Sequence, residues 1–150
     1  MLQFGGERDI KQPPEVVFEK LRDARFLVSC VPDVQSVASA ERDLAVCRIK
    51  PGLAFLMGSL DLTMRVLETV PHSLIRIEQL TKGIGNSSTV ETILKLSPQP
   101  DGTKLVWSAE VKQMGGLLKA LPEGLLKGAA DKIIGDAWTA VINKLASGAA

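Results

Sequence analysis

One histidine, two cysteines and two tryptophans carry most of the chemistry open to this 150-residue chain. His72 alone titrates near neutrality without help. It lies between Pro71 and Ser73, a turn signal, where a solvated imidazole is the expectation. A Ser-His-Asp or Cys-His site would have to use it, and nothing in the sequence brings it to Cys30 or Cys47. One histidine and two distant cysteines have no metal-ligand spacing. The two thiols are expected to be buried and reduced rather than bridged. Asp61 and Glu91 fall on the polar sides of their strands, which predicts solvated carboxylates rather than an acid–base pair. Gly83-Ile84-Gly85 lacks the third glycine and the following helix of a dinucleotide fingerprint, so it reads as a hairpin loop. No catalytic residue, metal or cofactor is predicted.

Binding chemistry is better supplied. Trp107 and Trp138 are expected to face inward, either as plain core or as the wall of a pocket. The stretch Lys50 to Gly58 is apolar with few charges. Phe55, Leu56 and Met57 within it read as a mouth, or a tip touching a membrane or partner, since exposed apolar tips mark contacts and Met suits adaptable surfaces. The competing reading is a buried cap. Gly124, Gly128 and Gly135 sit inside a helical segment at a cost of about 1 kcal/mol each against Ala. They read equally well as room for a ligand or a close sheet contact, or as tolerated small residues.

The elements that must position these groups follow from periodicity. Leu2, Phe4 and Ile10 alternate with polar residues, a first strand. Pro13-Pro14 then opens a helix with Val17, Phe18 and Leu21 at helical spacing, and a short second helix is expected from Ala24 to Cys30. From Val34 to Lys112 the period is two. Leu60, Leu62, Met64 and Val66 share one face, as do Ile75 with Ile77, Val90 with Leu94 and Leu96, and Leu105 with Trp107, Ala109 and Val111. Pro51-Gly52, Pro71-His72-Ser73, Gly83 to Asn86 and Pro100-Asp101-Gly102 punctuate these runs as hairpin turns.

After Gly115-Gly116 the period becomes helical. Leu125, Ala129, Ile133, Ala137, Val141 and Leu145 form one i,i+4 row, and Leu126, Ala130, Ile134, Trp138 and Ile142 a second. Such rows drift by about 40° per step, so the apolar surface winds around the helix and suits a curved sheet. The fold class is therefore α+β, with one domain over 1–150. A curved seven-stranded antiparallel sheet wraps a long C-terminal helix, with a short helix pair between strands 1 and 2. The helix is the sizeable cover for the sheet's buried face. A cavity is expected between them, lined by Leu62, Met64, Ile75, Ile77, Val90, Leu94, Trp107, Ala109, Ile134 and Trp138. None of these ten can move a proton, which argues against an enzyme.

Composition closes several classes. Eighteen basic against seventeen acidic residues leave a net charge of +1, without the basic stripe that nucleic acid or anionic lipid would want. Four Phe, two Trp and no Tyr supply few stacking platforms. Glu7, Arg8 and Asp9 precede any apolar leader region, and the longest uncharged apolar runs fall well short of the ~20 residues of a spanning helix. A cytoplasmic protein is expected, peripheral at the inner face of a membrane if it meets one.

The element order resembles the START and birch-pollen-allergen (SRPBCC) superfamily with its helix-grip fold. Local motifs narrow this. Phe4-Gly5-Gly6 opens the first strand, Pro13-Pro14-Glu15-Val16-Val17-Phe18 begins the first helix and Ser29-Cys30-Val31-Pro32-Asp33 ends the second. Phe55 to Gly58, Gly102-Thr103-Lys104-Leu105-Val106-Trp107 and Gly115-Gly116-Leu117-Leu118 follow in order. These motifs resemble the CoxG family, an accessory-subunit family of carbon monoxide dehydrogenase, which has Pro-x-x-x-Val-Trp at the first helix start and Cys-Ile-Pro-Gly after the second helix. Asp33 and Phe18 depart from the family's Gly and Trp. The resemblance implies a domain that binds an apolar small molecule such as a lipid or quinone. It also implies service to a molybdenum hydroxylase of the carbon monoxide dehydrogenase type, in assembly or membrane docking. A cyclase- or dehydratase-like enzyme on the same fold, and an interaction domain with a filled core, are the alternatives.

Overall fold

A computed structural model describes residues 2–31, 34–50, 58–83 and 85–146. Seven strands form one antiparallel sheet: β1 (Gln3–Ile10), β2 (Val34–Ala40), β3 (Leu44–Ile49), β4 (Leu60–Val70), β5 (Leu74–Gly83), β6 (Asn86–Gln99) and β7 (Gly102–Gly116). Their spatial order is β1-β7-β6-β5-β4-β3-β2, so β2 to β7 run hairpin to hairpin and β1 closes on the far side of β7. Two helices, α1 (Pro14–Leu21) and α2 (Ala24–Ser29), connect β1 to β2 across the sheet. A 3₁₀ turn at Leu117–Ala120 precedes the last helix, α3 (Glu123–Ala146). This is the expected helix-grip architecture.

Local chemistry explains the helix starts. Pro14 occupies the first turn of α1, where its missing N–H costs nothing. Asp23 caps α2 by accepting from the Arg25 N–H at 2.9 Å, and the Arg25 side chain holds the Asp23 carboxyl below its ordinary pKa. Pro122 sets the start of α3, its carbonyl accepting from Leu125 and Leu126 N–H groups at 3.1 Å.

The sheet's inner face is not covered by α3 alone, as the sequence had suggested. The helix pair takes a large share. Val17, Phe18 and Leu21 of α1 join Ile75, Leu94, Leu105 and Trp107 in one core cluster. Ala24 and Val28 of α2 pack on Ala45, Cys47, Leu62 and Met64 in a second. Helix α3 contributes Trp138, Val141 and Leu145, all from its C-terminal half. That end is tied down: Gln12 donates from Nε2 to the Leu145 carbonyl, and Lys144 donates from Nζ to the Ser29 carbonyl at 3.0 Å. The N-terminal half is looser, with Leu125 46% and Ile133 43% exposed. The rows that wind around α3 thus meet the sheet only along its second half.

Gln79 and Thr81 of β5, with Ser88 and Thr92 of β6, continue the inward phase of Ile75, Ile77, Leu94 and Leu96. Toward the β5–β6 hairpin the inner face therefore turns polar, with Thr81 and Ser88 hydrogen-bonded to each other. Since β7 ends at Gly116 opposite Asn86, the chain enters the turn that precedes α3 at this polar end. A Cβ added at Gly124, Gly128 or Gly135 would meet nothing within 4 Å, so these glycines make no close sheet contact.

Candidate functional site

A cavity of about 120 Å³ lies between the sheet, α2 and α3. Met64 of β4, Ile77 of β5, Leu94 of β6 and Trp107 with Ala109 of β7 form its sheet wall. Ile134, Ala137, Trp138 and Val141 of α3 close one side, and Leu27, Cys30 and Val31 at the end of α2 close another. The two indoles meet across it with ring centroids 5.8 Å apart and planes inclined by 34°. Offset aromatic pairs of this kind gain about 0.5–1.5 kcal/mol beyond their burial.

Of the ten residues expected to line a cavity, Met64, Ile77, Leu94, Trp107, Ala109, Ile134 and Trp138 border it. The other three do not. Leu62 packs under α2 in the second core cluster, Ile75 is wholly buried beside α1, and Val90 packs against the main core from a half-buried position. Each points to the inner face, but period two assigns a face and not a place along it. Phe55, Leu56 and Met57 lie outside the described residues.

Two polar residues escaped the sequence reading. Thr92 is 8% exposed and sits opposite Ile77 on one side and Ala109 on the other. Gln79 sits opposite Met64 and Val90. Both line the cavity, and the Thr92 hydroxyl donates to Gln79 Oε1 at 2.9 Å. The signal was present: each is in register with the inward apolar positions of its own strand and is noticed once polarity is not taken as exposure. Among the described residues Gln79 Nε2 has no hydrogen-bond partner, so one amide donor remains uncommitted beside the cavity. The Trp107 indole N–H is buried and likewise lacks an acceptor.

The remaining chemistry is spread elsewhere. Burial pushes the Cys30 thiol up, so the one sulfur on the cavity wall from a cysteine stays protonated at neutral pH. Cys47 is buried under α2 and its thiol is raised by the same cause. His72 occupies the exposed β4–β5 turn with φ 62°, its ring edge-on to Phe18 at 5.7 Å, and does not border the cavity. Asp61 and Glu91 lie on the outer face and are ion-paired, Asp61 to Arg48 at 3.1 Å and Glu91 to Arg76 at 3.6 Å. Among the described residues no group of three or more His, Cys, Asp or Glu side chains could hold a metal. Nor is any helix there long and apolar enough to cross a membrane.

A curved antiparallel sheet gripping a C-terminal helix, with an apolar cavity between them, defines a protein of the helix-grip fold. Solved structures carry the same fold. A conserved protein from Geobacillus kaustophilus superposes with a TM-score of 0.84 at 23% identity, over 97% of this chain and 96% of its own. An uncharacterized protein from Rhizobium leguminosarum gives 0.67 at 16% identity, over 97% and 95%. A Thermus thermophilus protein gives 0.67 at 16%, over 99% and 100%. At these identities the likeness extends to the fold alone. No curated protein matches the chain. The family is settled by sequence: residues 6–146 match the model of the carbon monoxide dehydrogenase subunit CoxG, and the chain belongs to this CoxG family.

Proposed function

We propose that the protein is a non-catalytic accessory factor that holds an apolar small molecule, lipid- or quinone-like, in the cavity between sheet and α3. It serves a molybdenum hydroxylase of the carbon monoxide dehydrogenase type; the family name supports the association with carbon monoxide dehydrogenase. Its place is the cytoplasm, peripheral at the inner face of the membrane where such a molecule would be collected.

The observation that carries this reading is the cavity bounded by Trp107 and Trp138. It contains side chains able to hydrogen-bond, Gln79 and Thr92, but none poised to exchange a proton near neutral pH. That favours binding over a cyclase- or dehydratase-like reaction, which needs a general acid or base in contact with substrate. A cavity of about 120 Å³ suits one ring, given that roughly 150 Å³ takes a benzene. Ligand pockets for larger molecules run to about 300 Å³ and above. A longer tail would therefore leave past the loosely packed first half of α3.

Titration of the purified protein with a short-chain quinone, followed by tryptophan emission, tests the reading. Saturable quenching, together with a bound apolar species in an organic extract, is the expected result. No quenching and an empty extract would sink it. Co-purification with a molybdenum hydroxylase tests the partner separately.

A further inference from the structure

Gln79 is a half-buried polar residue at the border where the apolar inner face of the sheet gives way to a polar one. Its cross-strand neighbours are Met64 and Val90, and Ile77 precedes it in the same phase. Only one end of the Gln79 amide has a partner among the described residues. Thr92 donates to its oxygen at 2.9 Å, which fixes the group and leaves Nε2 with its two hydrogens beside the cavity. Apart from Thr92 and Cys30, the rest of the lining is apolar, and no charged side chain among the described residues borders it.

We propose that Gln79, held by Thr92, is the selecting residue of this cavity, and that it favours an uncharged ligand whose buried end carries an acceptor oxygen. The inference rests on the cavity's being a binding site. An oxygen at the inner end would take up the idle N–H. A carboxylate would have to shed its water with no cation on the cavity lining to pair it, which a low-polarity cavity does not repay. A plain hydrocarbon would fit but would shut water away from the half-buried amide without replacing its hydrogen bond, which discriminates against a ligand lacking the acceptor.

Three single-ring probes of similar shape separate these cases: acetophenone, ethylbenzene and benzoate. Binding is read in ¹H–¹⁵N spectra of the whole protein at neutral pH, where the Gln79 side-chain amide and the two indole N–H signals report directly. Acetophenone and ethylbenzene are expected to bind, and benzoate to show no binding where acetophenone saturates. The Gln79 NH₂ pair should shift only with acetophenone. In Gln79→Leu the ratio of ketone to hydrocarbon affinity should fall about ten-fold, the worth of one neutral hydrogen bond, with ethylbenzene still bound. Comparing ratios cancels the different hydration of the two probes. Thr92→Val, which frees the amide to rotate, should lower the same ratio less, and it stands in if Gln79→Leu fails to fold. An unchanged ratio in the variant that folds, or benzoate bound as well as acetophenone, overturns the role of Gln79 while leaving the cavity a binding site. If none of the probes binds, the binding reading itself falls and the selection with it.

Discussion

Gly6 and Trp107 face each other across the β1–β7 ladder, and the indole lies where a side chain on residue 6 would be. A Cβ built at Gly6 would come within 3.0 Å of Trp107 Nε1 and 3.2 Å of Cε2 and Cζ2. The absent side chain thus lets the largest residue of the cavity wall lie against the strand. Gly6→Ala should displace the indole by a few tenths of an ångström toward the cavity, where there is room. The expected outcome is a folded protein with shifted tryptophan emission and weaker quinone quenching. Gly6→Val should in addition cost about 1–3 kcal/mol in denaturant unfolding, as overpacking does. Unaltered emission in both variants would refute this account of the wall.

Ala109 borders the cavity and is 6% exposed. Ala109→Leu should fill space rather than strain the core. Its melting temperature should match or exceed that of the wild type, while saturable ligand quenching disappears. A loss of about 1–3 kcal/mol, the mark of an overpacked site, would mean that the space is not available.

The two ends of α3 should respond differently to truncation. Leu125 and Ile133 are 46% and 43% exposed, whereas Leu145 is 3% exposed. Leu125→Gln and Ile133→Gln should each change stability by no more than about 0.5 kcal/mol, as surface substitutions do. Leu145→Ala should cost about 2–5 kcal/mol. Urea unfolding measures all three, and a large loss at Leu125 would show that the first half of the helix carries core packing.

His72 holds a left-handed backbone, φ 62°, and sets its ring edge-on to Phe18. A β-carbon costs roughly 1–2 kcal/mol in that conformation. His72→Ala keeps this strain and loses the ring contact, so it should destabilise more than an exposed turn position ordinarily does. His72→Gly loses the ring but relieves the strain, and should be the more stable of the two by about 1 kcal/mol. Equal unfolding midpoints would deny the strain. Ligand quenching should be unaffected in both.

Burial raises both thiols above their ordinary pKa. At neutral pH folded and unfolded chains alike hold these protons, and the groups add no slope. Above about pH 8.5 the unfolded chain releases them first. The unfolded state then binds fewer protons, and stability falls as pH rises toward the folded pKa values. The Cys30→Ala, Cys47→Ala double variant should lose less stability between about pH 8 and 10 than the wild type does. Parallel pH profiles would show that the thiols are not the cause.

The order of strands, helix pair and long helix is written in local periodicity, because alternation and i,i+4 spacing are properties of neighbours along the chain. So are the helix starts at Pro14 and after Pro122, and the inward phase of Met64, Ile77, Leu94, Trp107 and Ala109. Only the tertiary structure decides how far along the inner face each residue sits, and what covers it. That is why Ile75 and Leu62 became core under α1 and α2 while Met64 and Ile77 border a cavity. It also decides which polar residue is tolerated inside. Gln79 and Thr92 have the right phase, but what joins them is a bond between two strands, 2.9 Å long, that no single strand contains. The cavity's size of about 120 Å³ likewise depends on the spacing between packed elements. The winding rows of α3 were legible, but that Trp138, Val141 and Leu145 are buried while Leu125 and Ile133 stay exposed is a matter of how the helix docks.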